Sequence, residues 1–366
     1  MMKLHKTRII TFSLLLAFSI GLVYGGSKAR RGTAGAQELL IPSGARGTAL
    51  AGAYVSGISG IEAIDWNPAG LGAISGNGEA ALSRNQWIGD LTINHGAVGV
   101  KVGKSVYSLT LRSIDFGDIP ITTPDLTDGT GENYSPSYFT LATNFARKMT
   151  DRIYFGVGVK LVNESIMNVR ATGLALDAGV QYRATENGFS LGASIRNLGM
   201  NMLFNGPDLE EFHQPDGTQP GTPNEPRRIV VQSFELPTTF ELGAAYGPVV
   251  LGPLHGTVAA SFLNNNFSFD EYRFGAELNF MNMVYFRGGA AIGFDPEPYG
   301  PDGIEGTTDD DDSSYDYQTE EFIWGPSFGI GLDMSQIIGS GIVVDYSYRT
   351  AAYFSGVNWI SVKILF

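Results

Sequence analysis

Residues 152–161 read RIYFGVGVKL, and residues 173–183 read GLALDAGVQYR. In both stretches every second residue is apolar, while Gly, Lys, Asp, Gln and Arg stand between the apolar positions. A period of two is that of a β-strand, whose side chains point alternately to its two faces. An interleaved set of Gly and charged residues cannot form a dry core. We therefore interpret it as the interior of a barrel whose apolar face meets lipid.

The same alternation recurs after residue 78 and predicts fourteen strands. They lie near 79–87, 90–101, 105–115, 134–147, 152–163, 170–183, 188–198, 235–246, 254–264, 269–280, 283–294, 321–333, 341–350 and 356–366. Each approaches or exceeds the roughly 9–11 residues with which a tilted strand crosses a bilayer. The predicted fold is all-β: a transmembrane antiparallel barrel of the outer-membrane type, formed by residues 79–366.

The connections between these strands provide an independent check on the count. Long connections follow the third strand (116–133), the seventh (199–234) and the eleventh (295–320). All three strands are odd-numbered, so the long connections lie on one side of the membrane. Outer-membrane barrels have long external loops and short periplasmic turns. This arrangement also predicts that both chain termini lie in the periplasm.

Composition agrees with a barrel. Charged residues are 17% of the chain, against roughly 25% in soluble domains. The mean hydropathy of +0.01 is far too low for a bundle of membrane helices. The absence of Cys excludes a lipoprotein anchor, disulfides and thiolate metal sites.

Residues 1–29 are interpreted as a cleaved signal peptide that exports the protein. An apolar run from Ile9 to Val23 follows a basic start, and small residues follow it. The run is shorter than the roughly 20 residues of a membrane-spanning helix. An uncleaved anchor is the alternative.

The chain ends on an alternating strand whose last residue is Phe366. A terminal aromatic residue at this position resembles the signal that the outer-membrane barrel assembly machinery reads. Outer-membrane lipid and that machinery are therefore expected partners, and no nucleic-acid partner is expected.

Residues 30–78 lack the strand pattern and are rich in Ala and Gly. Small residues allow backbones to pack closely, so this segment is predicted to plug the barrel lumen as short helices and coil. A short helix is expected between Ala45 and Val55. Arg46 and Asn67 are predicted to anchor the plug, and Arg46 suits a lumen carboxylate from Glu241, Glu277 or Asp345.

The plug contains a motif with the positions Ala45, Arg46, Gly52, Ala53, Asp65, Asn67, Pro68, Ala69, Gly70 and Leu71. This motif resembles the N-terminal signature of the PorV/PorQ family, which is related to FadL-type transporters of hydrophobic compounds. The resemblance implies a plugged fourteen-stranded barrel. It also implies a role in type IX secretion, with a large translocon barrel and cargo bearing C-terminal signal domains as partners. A FadL-like passive channel for long-chain fatty acids or other hydrophobic compounds is the alternative.

Charged residues are predicted on the lumen face of the strands. They are Arg112, Lys160, Asp177, Arg183, Arg196, Glu241, Arg273, Glu277, Arg287, Asp333, Asp345, Arg349 and Lys363. One interpretation is a polar conduit or ligand site. The interpretation that we favour is a network of paired charges that fills the barrel and holds the plug, because buried charges need partners.

No catalytic or cofactor motif is present. The histidines His5, His95, His213 and His255 are isolated, with no neighbour at metal-ligand spacing. An enzyme could still assemble its groups across strands, but a transport or secretion component is favoured. Residues 295–321 carry eleven acidic residues and no Lys or Arg. A flexible acidic loop is favoured there over a Ca²⁺ site.

Overall fold

The computed structural model describes residues 30, 32–184, 188–214, 217, 219, 225–294, 322–335 and 341–366. The expected signal peptide (1–29) and acidic segment (295–321) lie outside these residues. No helix in the described ranges is long and apolar enough to cross a bilayer.

Fourteen antiparallel strands form a closed barrel in which each strand pairs with the next along the chain and the last pairs with the first. They are β1 Gly78–Gln86, β2 Thr92–Val102, β3 Ser105–Asp115, β4 Ser137–Lys148, β5 Ile153–Ile166, β6 Val169–Arg183, β7 Phe189–Gly199, β8 Thr239–Leu251, β9 Leu254–Asn265, β10 Asp270–Phe280, β11 Val284–Phe294, β12 Trp324–Asp333, β13 Gly341–Ala351 and β14 Phe354–Leu365. The predicted fold class is confirmed.

The strand limits differ from the expected ones by a few residues. The largest difference is at the end of β8, which was expected at 246 and extends to Leu251. The pairing of β8 with β9 shifts register between Tyr246 and Val249 and then resumes. The alternation in the sequence therefore breaks before the strand ends.

Alternation separates the two faces of the wall. In β6, Leu176 points outward and is 53% exposed, whereas Gln181 is completely buried inside. Apolar side chains are likewise exposed on neighbouring strands, for example Val159 and Leu198. The outer surface therefore carries the apolar band that a barrel presents to lipid.

Long connections follow β3, β7 and β11, and we call the end of the barrel that bears them the loop end. The first contains a small hairpin of Ile119–Pro120 and Asn133–Tyr134. The second contains a hairpin of Glu210–His213 and Glu225–Arg228. The opposite end, which we call the turn end, carries both ends of the β-barrel segment.

Barrel closure involves the last residue. Phe366 N–H donates to Gly78 O at 2.9 Å, and Asn77 N–H donates to Phe366 O at 2.8 Å. The ring of Phe366 covers Gly78, where a Cβ atom would lie 2.5 Å from it. Recognition of Phe366 by the assembly machinery stays a prediction.

The wall is irregular between β6 and β7, and the sequence did not reveal this. Leu176 pairs with Leu198, but Ala178 pairs with Ile195, so β7 contains one extra residue. Asn197 occupies the bulge with φ 58°. The bulge leaves the backbone N–H of Asn197 without a partner in the neighbouring strand, and this N–H donates to Asp177 Oδ1 at 2.8 Å instead.

Residues before β1 run inside the barrel as short helical turns. These are 3₁₀ turns at Gln37–Leu40, Ile61–Asp65 and Pro68–Ala73, and one α-helix, α1, at Ala45–Ala49. The helix expected between Ala45 and Val55 is therefore shorter than predicted. Positive φ angles at Ala51 (53°) and Gly52 (80°) end it, because an α-helix requires negative φ.

Substitution of Leu176 by Arg should severely reduce folding into lipid vesicles. An Arg near the middle of the lipid-facing band costs about 2–4 kcal/mol. Met149→Arg is the matched control, since Met149 is exposed in the turn after β4. Equal folding yields for the two variants would contradict the assignment of the outer face.

Candidate functional site

The segment before β1 fills the barrel along its length. At the loop end, Gly32 N–H donates to Phe267 O and Gly35 N–H donates to Glu235 O. At the turn end, the chain leaves the lumen at Asn77, beside Phe366. We call residues 30–77 the plug. Its limits as a separate unit stay a prediction.

An apolar cluster packs the turn-side half of the plug against the wall. Three plug residues, Ile61, Leu71 and Ile74, pack against the wall. The wall residues of this buried cluster are Ala81, Ala97, Val106 and Ala146. Burial of such side chains is worth roughly 1.5–3 kcal/mol each for the large ones. The plug is thus held partly by hydrophobic contact with the strands that surround it.

Glycines in the wall give the plug room. A Cβ atom on Gly156 would lie 2.3 Å from the backbone of Pro68. One on Gly179 would lie 2.0 Å from Asn67 Oδ1. Neither distance is possible in a packed structure, so these positions explain why Gly alternates with apolar residues in β5 and β6.

Asn67 is the polar centre of the plug and is completely buried. Its Nδ2 atom lies 3.1 Å from Val55 O and Val180 O, and 3.3 Å from Ala193 O. Its Oδ1 atom accepts from Ala69 N–H at 3.1 Å. The side chain therefore caps the following 3₁₀ turn and also ties the plug to β6 and β7.

The other motif residues are packing elements. Ala53 packs against Ala245 and Ala259 in the wall. Gly52 and Gly70 allow close contact, since a Cβ atom would lie 2.5 Å from Trp66 and 2.2 Å from Ile58 O, respectively. Ala45, Pro68 and Ala69 are also buried.

Arg46 joins the plug to an ion-pair network in the wall. Its Nε and Nη2 atoms donate to the two carboxylate oxygens of Glu277, at 3.0 and 2.9 Å. Arg287 Nε also donates to Glu277, at 2.6 Å, and Arg287 pairs with Asp345. The partner of Arg46 is thus Glu277, one of the three carboxylates that the sequence left open.

A second network surrounds Asp65 in the plug. Arg112 Nη2 pairs with the Asp65 carboxylate at 2.7 Å, and Arg196 Nη1 donates to the Asp65 carbonyl oxygen at 2.6 Å. Arg196 also pairs with Glu241 at 3.2 Å, and Arg273 bridges Glu241 and Glu271. Charges from four strands, β3, β7, β8 and β10, therefore form one network around Asp65.

The remaining predicted lumen charges are also turned inward. Lys160 pairs with Asp177 at 2.7 Å, and Lys363 pairs with Glu62 of the plug at 3.7 Å. Arg183 Nη2 donates to Ile58 O at 3.1 Å. Asp333 accepts from Ser335 near the turn end. The arrangement matches the network of paired charges more closely than a polar conduit.

Sequence reasoning missed two plug-binding residues. Gln181 Nε2 donates to Val55 O at 2.9 Å and Ile58 O at 3.0 Å. Glu79 accepts from Ile61 N–H at 2.8 Å and Ser75 N–H at 3.0 Å. Alternation placed Gln181 in the lumen, but only the folded plug shows which carbonyl groups it meets.

A cavity of about 780 Å³ lies above the plug at the loop end. Its floor includes Ala51, Asp65 and Trp66, and residues 33–42 run along it. Apolar side chains from several strands and loops complete much of the wall. They include Trp87, Leu91, Ile114, Phe116, Ile166, Phe204, Phe234, Leu263 and Trp324. Nine charged side chains complete the wall, namely Glu38, Asp65, Arg112, Lys160, Glu164, Arg196, Glu271, Arg273 and Arg349.

The aromatic part of this wall was also missed. Trp87 and Trp324 have ring centroids 5.1 Å apart, and Trp87 and Trp359 have centroids 5.8 Å apart in an edge-to-face arrangement. Trp359 Nε1 donates to Pro42 O at 3.0 Å, which fixes the plug beside the cluster. The alternation of β14 indicated that Trp359 faces inward.

The described residues contain no group of three or more His, Asp or Glu side chains placed to hold a metal ion. The acidic segment that could bind Ca²⁺ lies outside those residues.

Substitution of Gly156 by Ala should displace the plug, because the new methyl group would meet the backbone of Pro68 and Ala69. We expect trypsin to cut after Arg46 much faster than in the wild type. Gly288→Ala is the control, since its nearest neighbour is Ser327 O at 3.9 Å. Unchanged cleavage in Gly156→Ala would show that the plug is not packed as described.

The fold and the site together define a plugged barrel with a cavity at one end. No protein-family model matches the chain, and no curated protein matches it in sequence.

Solved structures of outer-membrane transporters share this fold. The toluene transporter TbuX of Ralstonia pickettii superposes with a TM-score of 0.52 at 13% identity, over 89% of this chain and 99% of its own. The monoaromatic hydrocarbon channel CymD gives 0.55 at 12% identity, over 89% and 98%. A FadL homologue of Pseudomonas aeruginosa gives 0.51 at 13% identity, over 89% and 99%. The chain therefore has the FadL-like barrel fold, and these similarities do not confirm the PorV/PorQ family.

Proposed function

We propose that the protein is a passive outer-membrane channel that admits small hydrophobic molecules. The observation that carries this proposal is the loop-end cavity of about 780 Å³, whose wall combines many apolar and aromatic side chains with nine charged ones. Ligand pockets for small molecules typically measure about 300–1,000 Å³. The fold shared with proteins described as toluene and monoaromatic hydrocarbon transporters supports the same function.

Passage beyond the cavity requires movement of the plug. Leu71 and Ile74 fill the lumen at the turn end, and the side chain of Asn67 is hydrogen-bonded to β6 and β7. The resting protein is thus a closed barrel with an external binding site. Molecules enter the cavity from the loop end and cross when the plug rearranges.

Type IX secretion, which the plug motif implied, gains no support from the structural neighbours. They are described as transporters and channels rather than enzymes or secretion components. A transport function also needs no catalytic group.

The proposal is tested by uptake of radiolabelled toluene into vesicles whose outer leaflet contains lipopolysaccharide. Vesicles that contain the protein should show saturable uptake of toluene and should exclude sucrose. Uptake no faster than in protein-free vesicles, or equal entry of sucrose, would overturn the proposal.

A further inference from the structure

Five cationic side chains line the loop-end cavity, and four of them have carboxylate partners. The lining cations are Arg112, Lys160, Arg196, Arg273 and Arg349. The first four pair with Asp65, Asp177, Glu241 and Glu271, respectively. Arg349 of β13 forms no ion pair with any residue that the structure describes. Its Nε and Nη2 atoms are buried without a hydrogen-bond acceptor.

An unpaired guanidinium at this depth is costly. Arg349 is only 9% exposed, and a buried charge without a partner destabilises a protein strongly. The other four lining cations each have a carboxylate partner within the chain, as a buried charge with a purely structural role requires. Arg349 is therefore the lining group best placed to bind an anion that is not part of the chain.

Aromatic rings cover one face of this guanidinium. Arg349 Cζ lies 4.7 Å from the ring centroid of Trp324, and Trp324 packs against Trp87. The N–H groups of a guanidinium lie in its own plane, so an indole over its face does not occupy them as a hydrogen-bond acceptor. A ligand at Arg349 would also contact the two indole rings, since both line the cavity.

Of the acidic residues of the cavity, Glu271 lies near enough to act on the Arg349 charge, but it forms its ion pair with Arg273. Asp65 and Glu271 are already paired with Arg112 and Arg273. Burial and the neighbouring Glu164 carboxylate raise the pKa of Glu38 in the plug to about 8. This raised pKa disfavours the charged form of Glu38. Glu164 belongs to β5, on the far side of the barrel from β13.

We infer that the cavity binds an aromatic carboxylate. The carboxylate pairs with the fork of Arg349, whose geometry suits two parallel hydrogen bonds. Because Nε and Nη2 are buried in this structure, the Arg349 side chain turns toward the ligand when it binds. The aromatic ring packs on Trp324 and Trp87. This inference rests on the proposed function and specifies the class of molecule that the channel takes. It differs from the neutral compounds named for the structural neighbours.

Titration calorimetry of the full chain in detergent tests the inference, with 4-methylbenzoate, 4-methylbenzyl alcohol and toluene as probes. Wild-type protein should bind 4-methylbenzoate at least tenfold more tightly than either neutral probe. Arg349→Met should abolish that preference. Arg84→Met should retain it, because Arg84 is exposed on the outer face of β1.

A stability measurement separates ligand binding from a structural role. Arg349→Met should unfold in urea at the same concentration as wild type or a higher one, because it removes an unpaired buried charge. Arg287→Met should unfold at a lower concentration, because it leaves Glu277 and Asp345 without that partner.

Retention of the preference in Arg349→Met, or its absence in wild type, would overturn the inference. If toluene still enters the vesicles by a saturable route in that case, the proposed channel function stands and only the ligand class is wrong. If the vesicles also show no saturable uptake of toluene, the proposed channel function and the ligand class are both wrong.

Discussion

Replacement of Glu277 by Leu should lower the free energy of unfolding by about 3–5 kcal/mol, the usual cost of removing one partner from a buried ion pair. Glu277 accepts both hydrogen bonds of the Arg46 fork and one from Arg287. Arg287 keeps Asp345 as a partner in the variant, but Arg46 keeps no carboxylate that the structure places beside it. Urea titration of the protein folded in lipid vesicles measures the change.

The double variant Arg46→Met/Glu277→Leu is the matched control. It also removes the Arg46 guanidinium that Glu277→Leu leaves unpaired, and buried ion pairs can often be replaced by apolar residues at little cost. We therefore expect it to recover most of the lost stability. An exposed ion pair contributes up to about 1 kcal/mol. If Glu277→Leu lowers the free energy of unfolding by less than that, this network does not hold the plug.

Substitution of Asn67 by Asp should release the plug and open the barrel to ions. The two side chains have nearly the same shape, but a carboxylate only accepts hydrogen bonds. It would face Val55 O, Val180 O and Ala193 O, which now accept from Asn67 Nδ2. The buried carboxylate would have no donor for any of these three oxygen atoms, and a buried polar group that loses its partner costs about 1–3 kcal/mol. Val55 O would keep only the hydrogen bond from Gln181 Nε2.

Conductance in planar bilayers measures this release. The wild type should remain closed, and Asn67→Asp should show frequent openings at neutral pH. Acidification should reduce the openings, because a protonated carboxyl regains one donor. Gln37→Glu is the control, since Gln37 is a half-exposed plug side chain whose bond is to Ala34 O within the plug. Equal conductance of Asn67→Asp and wild type would contradict the anchoring role of Asn67.

The architecture was readable from the sequence because one periodic signal determines it. Alternation in segments such as 152–161 gives both the strand and its faces, so the lumen positions of Lys160 and Gln181 followed directly. The connection lengths then fixed the count. Boundaries were less certain where a bulge interrupts alternation, as it does after Tyr246.

The site was less predictable because it depends on how the plug folds. The sequence indicated that Arg46 needs a carboxylate, but the choice of Glu277 depends on the folded plug. The helix α1 packs mainly against β12 and β13, and the Arg46 side chain reaches Glu277 of β10. The bulge at Asn197 could not be predicted, because a single Asn within a strand pattern does not indicate a bulge. Arg349 was recognised as a lumen charge, but only the structure shows that it forms no ion pair with the described residues, unlike its neighbours.

A disulfide that locks the plug tests the central claim, that the anchored plug closes the barrel and opens it by moving. Ser56 of the plug and Ser190 of β7 have Oγ atoms 3.4 Å apart, and the chain has no native Cys. Ser56→Cys/Ser190→Cys should therefore form one disulfide in the Asn67→Asp background. Planar-bilayer conductance is measured before and after addition of a reductant. We predict a closed barrel while the disulfide is intact and openings after its reduction. Equal conductance in the oxidised and reduced states would contradict the claim.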